Sequence, residues 1–575
     1  MKHTYLFAQR LGVFLASLIL LIHTDPASGV IIPPARTVAW SYSTVGVPGG
    51  IPNRTTIYQT LNSGASSSQI NTAIANCPSG QVVLLGPGTY SGGINFGLKN
   101  NVTLRGSGTN TVLTGTITMG SGGWYSGNSP PFWDSGTTIT AGLTQGSSNL
   151  TVSSTSTLGV GWLALIDEKN DTTTVFDADG NHPRALAQCV HIQSISGNVV
   201  TIWPPLVTTF STSLDARIKA QGGMQITGDG VENLQMQGDG SAIGFSINNG
   251  YGCWAYNVGM HNMANYDLEL ICCCACTVSH CYLFDSPSHA SNHYGVGLQQ
   301  NCGGCLIENN IIYRIGPSIE INNGSSYNVI AYNFLYDSWI NGVQDMDLDM
   351  NHTPHNVMNL VEGNYIGVIE DDGYFGSTAM NTLFRNVVTG VGPEYHDSPS
   401  CISLKRWSRN YNVVGNILGT NGVASVYELT ASGQAGQSIY QLGYPNIGNI
   451  GYNGSAPPNA WNNPGSSPGD NQWRDLAVGT TIIRHGNYDT VNKSIVWDST
   501  ISDHSIPNSY YLTSKPAWFG SLTWPPYDVT KPTATGLANL PAGYRFIYGV
   551  DPSGTGGTPP PPVSGFHFVA TTNSP

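Results

Sequence analysis

Charge is scarce in this chain. Of its 575 residues only 10% are Asp, Glu, Lys or Arg, with 21 basic against 34 acidic, for a formal net charge of −13. That balance argues against nucleic acid as a partner, because phosphate contacts need clustered cations. It also excludes a helical repeat protein, which would be rich in Glu, Lys, Ala and Leu. Long apolar runs are missing: beyond the N-terminus nothing approaches the roughly 18 residues of a membrane span. The acidic run Asp345, Asp347, Asp349 is no EF-hand. Its sixth position is Met350 where Gly is needed, and its twelfth is Asn356 where Glu is needed. Cys302-Gly-Gly-Cys305 lacks a second ligand pair at zinc spacing.

What is abundant is glycine, 70 residues, together with short stretches of Val, Ile and Tyr around a recurring polar residue. That residue is Asn233, Asn257, His280, Asn310, Asn333, Asn364, Asn386 and Asn416, at successive steps of 24, 23, 30, 23, 31, 22 and 30. A fixed period in this range marks a solenoid, in which each repeat buries its face only against the next. The composition between turns is that of strands. Asn suits a turn, where its side chain bonds backbone and its backbone tolerates the left-handed region. Stacked on neighbouring rungs about 4.8 Å apart, such residues form an amide ladder.

The first coil carries further signals. Gln69–Ala75 places Ile70, Ala73 and Ile74 on one face of a short helix, with Ser residues ahead of it as caps. Strand-and-turn segments follow at Val82–Tyr90 and Asn101–Gly108. A helix over the first coil hides the open edge of a solenoid. From Gln69 to Gly108 and through the Asn repeats, the chain resembles the right-handed parallel β-helix proteins of the pectin-lyase-like superfamily. The resemblance covers about 66–120 and 220–500 and implies an all-β fold with a capping helix. It leaves the reaction open, since that superfamily holds lyases, hydrolases, epimerases and non-catalytic tailspike or adhesin modules.

The domain reading follows from composition. Residues 1–29 read as a signal peptide: Lys2, His3 and Arg10, an apolar run 11–22, then Ala27-Ser28-Gly29. The mature protein is expected outside the cytoplasm, as a monomer. Residues 30–120 hold the cap and first coils, and 121–215 an inserted small β-module with a hairpin turn at Ser196-Gly197-Asn198. The main β-helix spans 216–500, with a loop excursion at 430–475. Residues 482–488 (IIRHGNY) read as a further coil, because Asn487 lies 71 residues beyond Asn416. An aromatic segment at 501–550 is expected on the flank of the solenoid, and 551–575 reads as a Pro/Gly-rich tail. The eleven cysteines, an odd number, read mainly as small buried hydrophobes stacked in columns. A secreted chain also permits some disulfides.

The long steps locate the candidate site. Insertions in a solenoid emerge on one face, often the binding face. Here they contain 286–294, 343–355 and 392–400, where His and carboxylates concentrate. As a strand, 345–349 would put Asp345, Asp347 and Asp349 on one face, an all-oxygen cluster suited to Ca2+. Asp349 to Asp371 is 22 residues, and Asp371 to Glu394 is 23, so these groups are expected to stack as an acidic column. Asp349, Asp371, Asp372, Glu394, His396, Lys405 and Arg406 are the candidate catalytic residues. Paired carboxylates suit glycoside hydrolysis. The resemblance implies instead that Lys405 or Arg406 removes a uronate proton beside a bound Ca2+, so hydrolase and lyase both stay open. His289, His293, His352, His355, Trp339, Tyr374, Tyr395 and Trp407 are the candidate substrate contacts. The chain lacks the GlyHisGly and ArgIleLys of polygalacturonases and the Arg-x-Pro-x-x-Arg of pectate lyases. The expected function is cleavage of a polysaccharide in a groove on the insert-bearing face. The competing reading is a carbohydrate-binding or adhesin-like module that only grips.

Overall fold

A computed structural model describes residues 30–121, 135–178, 180–220, 222–285, 293–340, 343–344, 346–391, 400–429, 437–444 and 474–554. The leader at 1–29, the tail from 555, and most of the loop excursion at 430–475 lie outside them. So do Asp345, His289, Glu394, Tyr395 and His396.

The chain starts with a cap. Ser66 accepts a hydrogen bond from the Gln69 amide, and the Gln69 side chain accepts one from the Ser66 amide, a capping box that opens the helix Ser67–Asn76. Ile70, Ala73 and Ile74 face down onto the first rung and are fully enclosed, as their spacing predicts. In two early rungs the first side is one continuous strand, Gly230–Gln237 and Trp254–His261, and from Thr277 on it is split, so that a rung is three short strands. One rung is Leu306–Glu308, Ile311–Tyr313 and Ile319–Ile321. The next is Val329–Ala331, Phe334–Tyr336 and Leu348–Asp349, paired parallel and in register with the first. The fold is a parallel β-helix. Its core is a stack of inward Ile, Val and Leu side chains supplied by every strand of the rung. Eight cysteines (77, 253, 273, 276, 281, 302, 305 and 401) extend that stack, and all eleven are buried with none in a disulfide.

The corner between the first and second strand of each rung carries the amide ladder. Asn310, Asn333, Asn364, Asn386 and Asn416 each donate side chain to side chain to the next at 3.0 Å, and Asn487 accepts the last of these bonds. Asn487 closes the ladder, so 483–489 is the extra coil. A second ladder runs through Asn328, Asn359 and Asn381. The first three sequence positions belong elsewhere. Asn233, Asn257 and His280 occupy the preceding column, whose backbone is left-handed and which continues at Asn309, not Asn310. The rung step there is 29 residues, one fewer than the spacing from His280 to Asn310.

The insertion is a closed six-stranded antiparallel barrel running from Thr137 to Ala220, five residues past the expected boundary. It has its own apolar interior, and its hairpin turns at Ser196-Gly197-Asn198. The C-terminal segment lays Tyr511, Phe519 and Tyr527 against outward rings of the solenoid such as Tyr332 and Phe334. Among the described residues no helix is long and apolar enough to cross a membrane.

Candidate functional site

The third strands of the rungs form one parallel sheet, and each expected insert runs directly into one of its strands. Its side chains alternate with period two. Leu268, Leu298, Ile319, Leu348, Ile369, Ile402 and Leu404 face the core. The residues between them face out, and the pairing aligns them as Glu269, Gly297, Glu320, Asp349, Glu370 and Ser403. Four carboxylates therefore share one column on successive rungs, broken only at Gly297. A Cβ there would stand 2.5 Å from the Tyr266 ring, so glycine lets that ring lie across the gap.

The centre of the column is enclosed and tightly bonded. Glu320 accepts from the Tyr266 hydroxyl at 2.7 Å and from the Gln299 amide at 2.5 Å. Asp349 accepts the backbone amides of Asn351 at 2.9 Å and Asp372 at 3.3 Å. His352 Nδ1 meets Asp372 Oδ2 at 2.5 Å. One ligand atom each from Glu320, Asp349 and His352 lies within 4.8 Å of the others. One rung on, Lys405 Nζ pairs with Glu370 at 2.7 Å and donates to Ser403 Oγ at 2.9 Å. His352 and Glu370 keep partial exposure, at 29% and 19% of the side chain, so the cluster opens to solvent there. Tyr374 lies parallel to the His352 ring at 5.7 Å, and Tyr266 stacks on Tyr294 at 4.7 Å.

Packing like charges on adjacent rungs drives protons onto them. Burial, then Asp372 and Glu320, holds Asp349 well above the usual carboxylate range. Burial raises Glu320 as well, and burial followed by Glu320 pushes Glu269 up to about 7. Burial alone would lower His352, but Asp372, Glu320 and Asp349 outweigh it and lift the imidazole to about 10. The site thus sets an Asp349 carboxyl whose surroundings favour its protonated form beside His352, with Lys405 Nζ paired to Glu370 on the next rung.

Of the expected residues, the structure brings together Asp349, Asp372, His352, Tyr374 and Lys405. Several others it places elsewhere. Asp371 aligns with Leu404 and points into the solenoid, fully buried. Its Oδ1 accepts the Lys405 amide at 2.6 Å, and its inward direction keeps it out of the outer column. Asp347 is buried against the backbone, accepting from Ser338 at 3.1 and 2.9 Å and from the Val368 amide at 2.8 Å. These bonds engage both of its oxygens and keep it apart from Asp349. Arg406 is buried in the turn after the strand, its surroundings set by Asp475 and Arg409, and reaches none of the column. Trp407 is sandwiched between Phe176 of the inserted module at 5.4 Å and the Arg409 guanidinium at 4.1 Å. His293 is buried against Asp267 at 3.3 Å. His355 bonds Ser377 at 2.8 Å, and burial lowers it to about 4. Trp339 is buried, its indole bonded to Asp337 at 2.9 Å. None of these seven faces the column.

Glu269, Glu320 and Glu370 were missed. The signal was the alternation itself: Asp349 pairs with Glu370, 21 residues on, and not with Asp371 at 22. As to calcium, the assembled donors are Glu320, Asp349 and the charged His352. An imidazole nitrogen among only three donors differs from the set of six to eight oxygens that calcium takes.

No protein-family model matches the sequence, and no curated protein matches it. Solved structures are similar at low identity. The tailspike of an Acinetobacter baumannii bacteriophage in complex with capsular saccharide is 12% identical, over 68% of this chain and 66% of that one, with a TM-score of 0.46. The A-module of the Azotobacter vinelandii mannuronan C-5 epimerase is 13% identical over 68% and 99%, at 0.36. A Streptococcus pneumoniae surface adhesin is 11% identical over 68% and 90%, at 0.33. The chain spans just under two thirds of the length of the tailspike.

Proposed function

We propose that the protein acts on a polysaccharide in the groove above the carboxylate column and cleaves it by hydrolysis. The observation that carries this reading is the pair Asp349 and Glu370 on adjacent rungs in opposite electrostatic settings. Asp349 is surrounded by acids that favour its protonated form, and Glu370 sits against Lys405 Nζ. Two carboxylates whose environments diverge are the requirement for general acid and base or nucleophile at one pH. Asp349 protonates the glycosidic oxygen, and Glu370 attacks the sugar carbon or activates water. Adjacent rungs, about 4.8 Å apart, allow the short carboxyl separation of a retaining pair, about 5–5.5 Å. Asp372 is a positioning residue that holds His352, and Tyr374, Tyr266 and Tyr294 offer ring faces to sugars while leaving hydroxyls free. The leader-like residues 1–29 support action outside the cytoplasm.

Elimination is the second reading, favoured by Lys405 in the groove beside acids that would hold a uronate carboxyl in its neutral form. A panel of neutral and acidic polysaccharides, read by reducing-end release and by ultraviolet absorbance of unsaturated uronate, separates the two. Reducing ends without absorbance are expected. Absorbance rising in step with reducing ends overturns hydrolysis, and silence in both across the panel leaves a binding module.

A further inference from the structure

A second concavity lies on a different sheet and shares no residue with the groove. The first strands of the early rungs align Arg105, Glu232, Tyr256, Ser279 and Glu308 as one outward column. This column is the floor of a cavity of about 830 Å³. The N-terminal arm around Tyr42 and Val47 walls one side, and Trp518 and Asp551 from the C-terminal segment wall the other. The two ends of the chain thus close over five rungs of floor, at a size typical of small-ligand sites.

The lining combines flat rings with unspent polar groups. His280 sits 5.0 Å from the Tyr256 ring and 6.1 Å from Trp518, forming an aromatic corner. The Trp518 indole N–H is shielded from solvent and has no acceptor. Glu308 is enclosed and takes the Tyr511 hydroxyl at 3.3 Å and the Tyr42 hydroxyl as well, and a carboxylate's lone pairs leave room for a further donor. Arg105 is already engaged by Glu232 at 2.8 Å. A purely apolar ligand would leave the indole donor and the Glu308 carboxyl unmatched. An anionic one would meet Glu232, Glu308 and Asp551 with the single lining cation already paired. The remaining class has hydroxyls that both donate and accept around an apolar ring face.

We infer that this cavity is a saccharide-binding site, separate from the groove, that takes a neutral segment of two or three sugar units against Tyr256 and Trp518. It would hold a glycan chain without cutting it, and it does not depend on the groove being catalytic. Calorimetry on the full chain carrying Asp349→Asn, with maltotriose, cellotriose and mannotriose as probes and trigalacturonate as the acidic counterpart, tests it. At least one neutral trisaccharide is expected to bind, with trigalacturonate at least tenfold weaker. Trp518→Phe, which keeps a ring and removes the N–H, and Glu308→Gln are each expected to weaken that binding about tenfold or more. In the otherwise unaltered chain, the indole N–H resonance of Trp518 should shift on saturation. Absence of binding by every neutral trisaccharide overturns the inference. So does trigalacturonate binding as tightly, an unmoved Trp518 resonance, or an unchanged Kd in both folded variants.

Discussion

Two columns of polar side chains climb this solenoid, one residue per rung, with opposite physical consequences. At the corner, Asn310 to Asn487 stack amide on amide. On the outer face, Glu269, Glu320, Asp349 and Glu370 stack carboxyl by carboxyl. An amide carries a donor and an acceptor, so like on like satisfies both, and the ladder is neutral and closed. An ionised carboxylate only accepts, so like on like repels until a proton or a cation intervenes. The amide column holds the rungs together. The carboxyl column stores the proton chemistry, and relieving it should cost function rather than stability.

The largest break is expected at the centre of the acid column. Asp349→Asn should lower turnover on the responsive polysaccharide about a thousandfold, within the range for removing a general acid. It should leave Tm unchanged or raised, because one of several crowded acids is gone. Asp371→Asn, one residue from the column register but on the inner face, should retain turnover within a few-fold. If instead Asp371→Asn silences the enzyme and Asp349→Asn does not, the inward and outward assignment of this strand is wrong.

Next in size is the amide ladder. Asn364 accepts from Asn333 and donates to Asn386 and to the Ile330 carbonyl, all out of reach of water. Asn364→Ala strands these partners, at about 3 kcal/mol for several buried groups left unpaired. Asn364→Asp should be worse, since a carboxylate would face the Ile330 and Glu362 carbonyl oxygens. Denaturant midpoints measure both. A loss below about 1 kcal/mol in either variant would mean that the ladder contributes little.

The smallest effect is the pH dependence of stability. Burial raises Asp347 and Asp229 to about 8 each and Glu362 and Glu308 to about 7 each. A carboxyl raised in the folded state binds more protons there than when unfolded. Its contribution is complete below the unfolded value near 4 and fades as pH rises through the folded value. His352, raised to about 10, acts in the same direction, contributing below about 6.5 and fading towards 10. His355, lowered to about 4, has the opposite sign, but only below about 6.5. Tm is therefore expected to fall between pH 7 and pH 9, and Asp347→Asn should flatten that slope. A flat or rising profile for the unaltered chain would show that these carboxyls ionise freely.

Much of this was legible before any coordinates. The period of the Asn positions, the helix face Ile70, Ala73, Ile74 and the late return of Asn487 each placed a piece of the solenoid. The site was legible only in outline. Carboxylates and His were expected on the insert-bearing side, but counting 22 residues from Asp349 chose Asp371, where the true partner is Glu370 at 21. In a strand that error of one residue moves a side chain from the outer face to the core. The same slip separates Asn309 from Asn310 after His280. Asp347 and His293 have the composition of a site and lie close in sequence to one, yet their partners are backbone amides and Asp267.

The sequence by itself determined the repeat, the strand periodicity and the cap, because these depend on residue type at local spacing. Which face each acid occupies was decided only in the assembled solenoid. Turns of unequal length absorb or add single residues, and parallel pairing between rungs then sets the register. The cavity between the two chain ends is tertiary in origin for the same reason. Tyr42 and Trp518 are 476 positions apart and meet only because the rungs between them form one continuous floor.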